Sequence, residues 1–381
     1  MNYSYPQIRL IARRIPILCT VYFVVFSLAF LLLLQRDVLA QAQFVLSRGQ
    51  SVFHPLVAAL LTTALLSLLG FLVSFFMRWL PLRMKAFVWF PSFILLGLLT
   101  SFRFPQFGDV GSAPGWPIIA ILLGVWLLAV LSSCLLPDST KERETLSTYA
   151  WPNALWLIIF TAATVRVSNT DAATHHTLQA ARYLSQRDYE TALLQARYER
   201  HPSPQLSAMT AYALSCQGQL GESLFSYPQP HGSQGLLPQL SDSLLFFDLP
   251  HAVGVHLGYR KGARTSATLF LEAISRRPHV QPAARQYRLC ALLLERRTTD
   301  FRQLLLDGDT LSVCLPLHYR EALLLQQQLQ PLSADTLVDD DLARQFFEFD
   351  SLRTLPGTPD EREFRCRQRF GRTYWTYYYF H

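Results

Sequence analysis

Two acidic residues in predicted loops are the best candidates for catalysis in this 381-residue chain. Asp37 directly follows the first long apolar stretch, and Asp109 lies in a later segment rich in Phe, Pro and Gly. Glycosyltransferases that use lipid-linked sugars place a carboxylate at the outer membrane surface, where it acts as a base or binds a metal ion. Neither residue is accompanied by a second acid or a metal-ligand cluster. We therefore favour the alternative that each carboxylate pairs with a neighbouring arginine, Arg36 or Arg103.

The sequence lacks other motifs that carry chemistry. It contains no glycine-rich phosphate loop, no dinucleotide fingerprint and no His-Glu-x-x-His zinc motif. His175 and His176 are adjacent, and because neighbours on a helix point about 100° apart, they form a poor metal site. The six cysteines show no metal-ligand spacing, and we expect reduced, buried thiols. We predict no metal and no cofactor, and favour a non-enzymatic role.

The composition indicates a membrane protein with two dissimilar halves. Half of the residues are hydrophobic and 16% are charged, whereas globular proteins average about 25% charged residues. Residues 1–170 contain 12 Lys or Arg and 5 Asp or Glu, while residues 171–381 contain 22 of each sign. The basic excess therefore lies in the apolar half. A nucleic-acid-binding protein would carry it on a soluble surface, so we exclude nucleic acid as a partner.

A helix needs roughly 20 apolar residues to span a bilayer, and residues 1–168 contain uncharged stretches of about this length. These stretches predict a transmembrane domain over residues 1–168. The fifth stretch is the least apolar. With a cytoplasmic N-terminus, eight Lys or Arg residues lie on the cytoplasmic side and four lie outside, as the positive-inside rule requires. Residues after 167 then lie outside the cytoplasm, unless the fifth stretch does not cross. The predicted helices span about 15–34, 55–77, 86–102, 116–136 and 147–166.

Short amphipathic helices are predicted from Asp171 onward. Arg187-Asp188-Tyr189 aligns with Gly218-Gln219-Leu220, and Ala192 then aligns with Ser223. Two more units follow at longer, irregular offsets, through Ser266 and Leu304. These units resemble the tetratricopeptide repeat, a helix–turn–helix of about 34 residues, and a generic helical bundle is the alternative. The segment Ser226 to Pro238, rich in Pro, Gly and Ser, is predicted to be a loop.

The C-terminal end combines a capped helix with an aromatic tail. Thr358 is expected to cap a helix that begins at Pro359, with Glu361 completing a capping box. We expect the tail to cover the end of the repeat domain, and the arginines to meet an acidic partner or lipid headgroups, with a solvated face as the alternative. The candidate interaction residues are Arg362, Arg365, Arg369, Tyr374 and Trp375.

Four strings in the C-terminal half carry a family resemblance. They are ALSCQGQLGESLFSYPQ at 213–229, GLLP at 235–238, LPLHYREALLL at 315–325 and FGRTYWTYYYFH at 370–381. With the polytopic N-terminal half, the chain resembles an uncharacterised family of Bacteroidota inner-membrane proteins with tetratricopeptide-like C-terminal regions. The resemblance implies a bacterial inner-membrane location and carries over no catalytic residue.

The sequence thus predicts an all-α protein in which a helical membrane bundle precedes a repeat domain at 171–381. We expect a multi-pass inner-membrane protein with a cytoplasmic N-terminus and a periplasmic C-terminal domain. Its expected partners are membrane lipid and another envelope protein, which stacked helix pairs can hold on a concave surface. The predicted function is a scaffold or protein-interaction component. The alternative is a glycosyltransferase that uses lipid-linked sugars, or a subunit of one.

Overall fold

The computed structural model describes residues 5–47, 50, 53–101, 120, 123–124, 126–128, 130–131, 146–238, 249–258, 267–275, 281–307, 315–329 and 340–381. Within these ranges every regular element is a helix, so the predicted all-α fold is confirmed. The chain divides into two compact units, Met1–His175 and His176–His381. The sequence places the boundary near residue 170, slightly earlier.

The first unit contains the apolar helices, and the helix that follows them continues into the second unit. Its elements are α1 (Tyr5–Ala29), a π-helical turn (Phe30–Leu34), α2 (Arg36–Ser47), α3 (Pro55–Phe76), a 3-10 helix (Leu82–Trp89), α4 (Phe90–Leu99), α5 (Leu146–Val167) and the start of α6 (Ala172–Ser185).

Four spans in the described residues are long and apolar enough to cross a membrane. They are Leu10–Leu34, Pro55–Phe76, Leu82–Leu99 and Leu146–Val167. These match the first, second, third and fifth predicted segments, and the fifth forms one helix of 22 residues although it is the least apolar. The fourth predicted segment, 116–136, lies largely outside the described residues.

Helices α4 and α5 run in the same direction. Their contacts advance together along both chains, and at the end of α4 the Asn169 amide donates to the Thr100 carbonyl at 2.8 Å. The successive contacts are Phe87 with Trp156, Phe90 with Phe160, and the Phe93 carbonyl with the Thr164 hydroxyl.

Helix α1 is also parallel to α5, whereas α3 runs the opposite way. Along α1 and α5, Tyr22 meets Thr161 through hydroxyls 3.1 Å apart, and the Gln35 amide reaches the Asn169 carbonyl at 2.8 Å. The contacts of α3 with the 3-10 helix and α4 run in the opposite order along the two segments. Trp89 covers Gly70, whereas Ser92, further along the chain, donates to the carbonyl of the earlier residue Leu66 at 2.8 Å.

The second unit is a succession of short helices joined by tight turns. They are the rest of α6, α7 (Tyr189–Tyr198), α8 (Pro204–Cys216), α9 (Leu220–Ser223), 3-10 turns at Leu224–Ser226 and Gly232–Leu236, α10 (Leu249–His256), α11 (Ala267–Ser275), α12 (Pro282–Leu294), α13 (Thr298–Leu306), α14 (Leu317–Leu329), α15 (Asp340–Thr354), α16 (Pro359–Phe370) and α17 (Tyr374–Phe380).

Four of these turns share one backbone feature. The second residue after the end of α6, α8, α10 and α12 adopts positive φ: Arg187, Gly218, Gly258 and Arg296. In three of the turns the next residue also donates its amide to the carbonyl five positions back, as in a Schellman motif. These bonds join Asp188 to Tyr183, Gln219 to Leu214, and Arg297 to Leu292, at 2.8 to 3.0 Å.

The predicted loop between Ser226 and Pro238 is folded onto the unit. Its second 3-10 turn packs between α8 and α12, and Leu236 is fully buried. At Gly235 the backbone approaches α8 so closely that a Cβ would lie 3.2 Å from the Cβ of Ser207. The loop therefore covers α8 and α12, which contributes to the burial of both helices on most sides.

Candidate functional site

Asp37, the catalytic candidate that the structure describes, lies beside His175. Both residues are in the first turn of a helix, Asp37 in α2 and His175 in α6. Asp37 Oδ2 and His175 Nδ1 are 3.8 Å apart, and the two side chains are 14% and 16% exposed. Sequence reasoning expected an arginine as the partner and treated His175 only as half of a histidine pair. Asp109, the other candidate, lies outside the described residues.

The surroundings of His175 favour its charged form. Its Nδ1 faces Asp37 and its Nε2 lies 3.3 Å from the Asn169 carbonyl, so both ring nitrogens meet acceptors. The Asp37 carboxylate raises the pKa of His175 above its ordinary value, burial opposes this, and Asn169 and Asp171 reinforce the rise. The result is a largely buried carboxylate–imidazole pair in which the protonated ring is favoured.

The pair belongs to a polar cluster at one end of the bundle, which we call the membrane-end cluster: Gln35, Asp37, Asn169 and His175. Gln35 follows the π-helical turn that extends α1, and Asn169 lies just beyond the end of α5. The Asn169 carbonyl accepts from the Gln35 amide and also lies beside His175. Such a pair could exchange a proton with a bound substrate. The described residues contain no group of three His, Cys, Asp or Glu side chains that could hold a metal ion.

The two adjacent histidines separate as helix geometry requires. His176 is directed to the Gln195 carbonyl, 3.4 Å from its Nδ1, and its ring lies edge-on to Tyr198. His175 is directed to Asp37 instead.

A second titratable pair, His318 and Glu321 on α14, is buried inside the second unit. The His318 Nδ1 and Glu321 Oε2 atoms are 2.8 Å apart, and the side chains are 1% and 2% exposed. The Phe225 amide donates to His318 Nε2 at 3.3 Å, so this nitrogen carries no proton and Nδ1–H donates to the carboxylate. The imidazole is therefore neutral beside a buried carboxylate.

Glu321 also binds the C-terminal tail. Its carboxylate accepts the Tyr374 amide at 2.8 Å, and its backbone carbonyl accepts the Trp375 indole N–H at 2.9 Å. Phe225, the His318–Glu321 pair and the tail come from three of the four strings that carry the family resemblance. The structure brings these strings together in one core, so their residues are explained by packing.

The aromatic tail covers the end of α12. The hydroxyls of Tyr374 and Tyr377 donate to the carbonyls of Leu293 and Leu294 at 3.2 and 2.9 Å, and these carbonyls belong to the last turn of α12, which lacks following helical amides. Tyr374 and Trp375, both predicted as interaction residues, have no exposed surface. A partner would therefore not touch these two side chains directly.

The three predicted interaction arginines lie on α16, which begins at Pro359 with the predicted capping box. Arg369 is exposed and pairs with Glu348 at 2.7 Å. Arg365 donates to the Leu355 and Pro356 carbonyls, and Arg362 is half-buried. Among the predicted interaction residues, Arg369 is thus the most accessible.

Sequence reasoning missed one hydroxyl–imidazole pair. Ser215 Oγ and His256 Nε2 are 2.8 Å apart, and burial lowers the pKa of His256. This is the geometry of a nucleophile with its base. However, Ser215 is only 7% exposed and Tyr212 packs edge-on against the imidazole, so the bond joins α8 to α10 within the unit.

The fold and these sites define an all-α protein with four membrane-length helices followed by a unit of short helix pairs. The chain belongs to a family of unknown function, DUF6057, whose sequence profile matches residues 8–281 and 263–381. No curated protein and no solved structure matches the chain.

Proposed function

We propose that this protein is a membrane-anchored helical-repeat protein whose C-terminal unit binds another protein of the bacterial envelope. The observation that carries the proposal is the recurrence of one turn geometry at Arg187, Gly218, Gly258 and Arg296. The first two of these residues are the pair that the sequence alignment matched, and the intervals are close to the roughly 34 residues of a tetratricopeptide unit. A protein built by repeating a helix pair offers an extended surface to a partner.

The contacts of the second unit support a binding role over catalysis. Three of its buried polar side chains, His318, Glu321 and Ser215, bond to other parts of the same unit. Large apolar side chains are exposed on several of its helices, and such side chains commonly anchor protein partners. They include Leu194, Tyr198, Val255, Leu306, Phe347 and Phe364.

The proposed orientation places the N-terminus in the cytoplasm and the second unit in the periplasm. Helices α1 and α5 are parallel, and the Gln35–Asn169 hydrogen bond joins their far ends. The start of the second unit would therefore lie on the side opposite the N-terminus. Helices α4 and α5 are also parallel, and the proposal therefore keeps the predicted crossing at 116–136 between them.

The proposal can be tested by placing a photocrosslinking amino acid in the full-length chain in intact cells. The positions are Leu194, Val255, Leu306 and Phe364, one on each of four helices. We expect the same partner protein at one or two positions and none at the others, because a binding surface covers one face. Leu68, exposed on α3, serves as the control. Equal labelling at every position, or none, would contradict partner binding.

A second candidate function is glycosyl transfer from a lipid-linked sugar, and the membrane-end cluster favours it. Asp37 lies at the end of three parallel membrane-length helices, and the buried Gln35 Oε1 has no hydrogen-bond partner among the described residues. This acceptor and the carboxylate could bind the hydroxyls of a sugar. We expect Asp37→Asn and Asp109→Asn to keep full function in a knockout rescue if the protein is a scaffold. Loss with Asp37→Asn, while Asp171→Asn keeps function, would support the enzyme.

A further inference from the structure

An apolar groove runs between α1 and α5 in the first unit. Its volume is about 620 Å³, and its walls come from two parallel helices. Ala150 and Ala154 lie one helical turn apart on the α5 wall of the groove. Because their side chains are small, the groove is open at this point. The facing residues on α1 include Ile15, Leu18, Tyr22 and Phe26.

The polar groups in the wall are already engaged. The Tyr22 hydroxyl lies 3.1 Å from the Thr161 hydroxyl. The Asn153 amide donates to the Leu82 and Tyr149 carbonyls at 2.8 and 2.7 Å, and its oxygen accepts the Ala86 amide at 2.7 Å. The groove therefore offers hydrophobic contact without a demand for hydrogen bonds, which suits a hydrocarbon chain.

The length of the groove matches one leaflet of a bilayer. Its wall on α1 extends from Ile15 to Phe26. At about 1.5 Å per residue this is roughly 16 Å, about half of a hydrocarbon core of about 30 Å. A chain lying in the groove would thus begin at the arginine-bearing end of α1 and finish near the middle of the membrane.

Cationic side chains stand at the open end of the groove. Arg14 is exposed and lies one helical turn before Leu18 on α1, at the end of the groove nearest the N-terminus. On the other side, the Arg83 guanidinium lies 5.8 Å from the ring centroid of Tyr149, the residue before Ala150. Guanidinium groups are well suited to bind phosphate oxygens.

We propose that this groove binds one acyl chain of an anionic phospholipid, with the headgroup phosphate at Arg14 and Arg83. The site is far from the membrane-end cluster, because Asp37 follows the opposite end of α1. It therefore stands independently of partner binding by the second unit and of any chemistry at Asp37.

The test uses the full-length protein, exchanged from membranes into detergent with added phosphatidylglycerol or phosphatidylcholine, and native mass spectrometry. We expect one phosphatidylglycerol molecule to remain bound and phosphatidylcholine to be lost. Arg14→Gln combined with Arg83→Gln should weaken phosphatidylglycerol retention about tenfold, which corresponds to about 1.4 kcal/mol. Arg78→Gln, which removes an exposed arginine that packs on Phe75, is the matched control and should retain the lipid.

Filling the groove should remove the lipid without removing the charge. Leu18→Trp fits this purpose because Leu18 is half-exposed and its replacement places an indole in the groove. Leu68→Trp, on the outer face of α3, is its control. Equal retention of both lipids by the unaltered protein, or retention unchanged by Leu18→Trp, would overturn the proposal and indicate nonspecific surrounding lipid.

Discussion

The two units bury polar groups in different ways. In the first unit several buried hydroxyls and amides bond to backbone carbonyls, as those of Thr164, Ser92 and Asn153 do, while Asp37 and His175 lie beyond the ends of the membrane-length helices. In the second unit a carboxylate and an imidazole, Glu321 and His318, are buried in the core. A helix in lipid has no water to hydrate an imperfectly paired charge, whereas a folded core can enclose a charge that is fully hydrogen-bonded.

The outer surfaces show the same difference. Leu33, Leu68 and Phe76 are among the many exposed apolar side chains of the first unit, as a lipid environment permits. Its interior is an aromatic cluster that includes Phe23, Trp89 and Phe93. In the second unit aromatic residues also fill the core, and two tyrosine hydroxyls and one indole N–H bond to backbone carbonyls. The Trp126 indole N–H forms the same kind of bond in the first unit, to the Phe87 carbonyl.

The largest expected effect is at the buried pair in the second unit. Glu321→Ala removes the acceptor for His318 Nδ1–H and the Tyr374 amide, and leaves both donors buried. We expect the free energy of unfolding to fall by about 2–5 kcal/mol, because each buried donor left without an acceptor costs about 1–3 kcal/mol, and thermal unfolding of the purified full-length chain measures it. Glu363→Ala, which breaks the exposed pair with Arg367, should cost less than about 1 kcal/mol. Similar costs for both would show that the buried pair does not hold the tail.

In the first unit the sensitive feature is close packing. A Cβ at Gly70 would lie 2.6 Å from Cζ3 of Trp89, whose ring stacks on Phe23 and cannot move freely. Gly70→Ala should therefore destabilise the protein by about 1–3 kcal/mol. Gly124 is the matched control, because a Cβ there meets nothing within 4 Å. An equal response of the two variants in thermal unfolding would contradict the packing of α3 on the 3-10 helix.

The membrane-end cluster should give a smaller, pH-dependent effect. Asp37 raises the pKa of His175 above its ordinary value of 6.5, so the stabilisation is fully present below pH 6.5 and is lost as the pH rises through the folded-state pKa. We expect Asp37→Asn to lower stability by about 1 kcal/mol at pH 5.5 and by little at pH 8.5. Unfolding temperatures of the two proteins across this range provide the measurement. A difference that grows toward high pH would contradict the pair.

The smallest effect is expected at the repeated turns. Arg187 and Arg296 adopt positive φ, which costs a residue with a side chain about 1–2 kcal/mol relative to glycine. Arg187→Gly should therefore stabilise the second unit by about 0.5–1 kcal/mol in chemical unfolding. Arg182→Gly, inside α6, should instead destabilise by about 1 kcal/mol. Loss of stability in both variants would argue against the left-handed turn.

Local signals in the sequence predicted the local structure well. Thr358, Pro359 and Glu361 give the capping box and the start of α16 as predicted, because all three act within one turn. The alignment also matched Arg187 with Gly218, and in the structure both residues adopt positive φ. The later turns were harder to align. The third predicted unit was aligned with the others through Ser266. That alignment places the turn of the unit a few residues after Gly258, the residue that adopts positive φ in the structure.

The sites depend on contacts between distant parts of the chain and could not be derived in the same way. Nothing in the sequence near Asp37 indicates that His175 will face it, since the contact depends on α1 and α5 being parallel. His318 and Glu321 are one helical turn apart, so their proximity was predictable. Their burial was not, because it requires the tail at Tyr374 and the loop at Phe225.

The central proposal is that α1 and α5 cross the membrane in the same direction, so that the chain leaves α5 on the side opposite the N-terminus. The most direct test is labelling of the full-length chain in intact cells with a membrane-impermeant maleimide, after the half-buried Cys216 has been replaced by Ser. Gln50→Cys and Thr170→Cys should both be labelled, whereas Arg78→Cys should be labelled only after the cells are permeabilised. Labelling of Gln50→Cys with protection of Thr170→Cys would contradict the account.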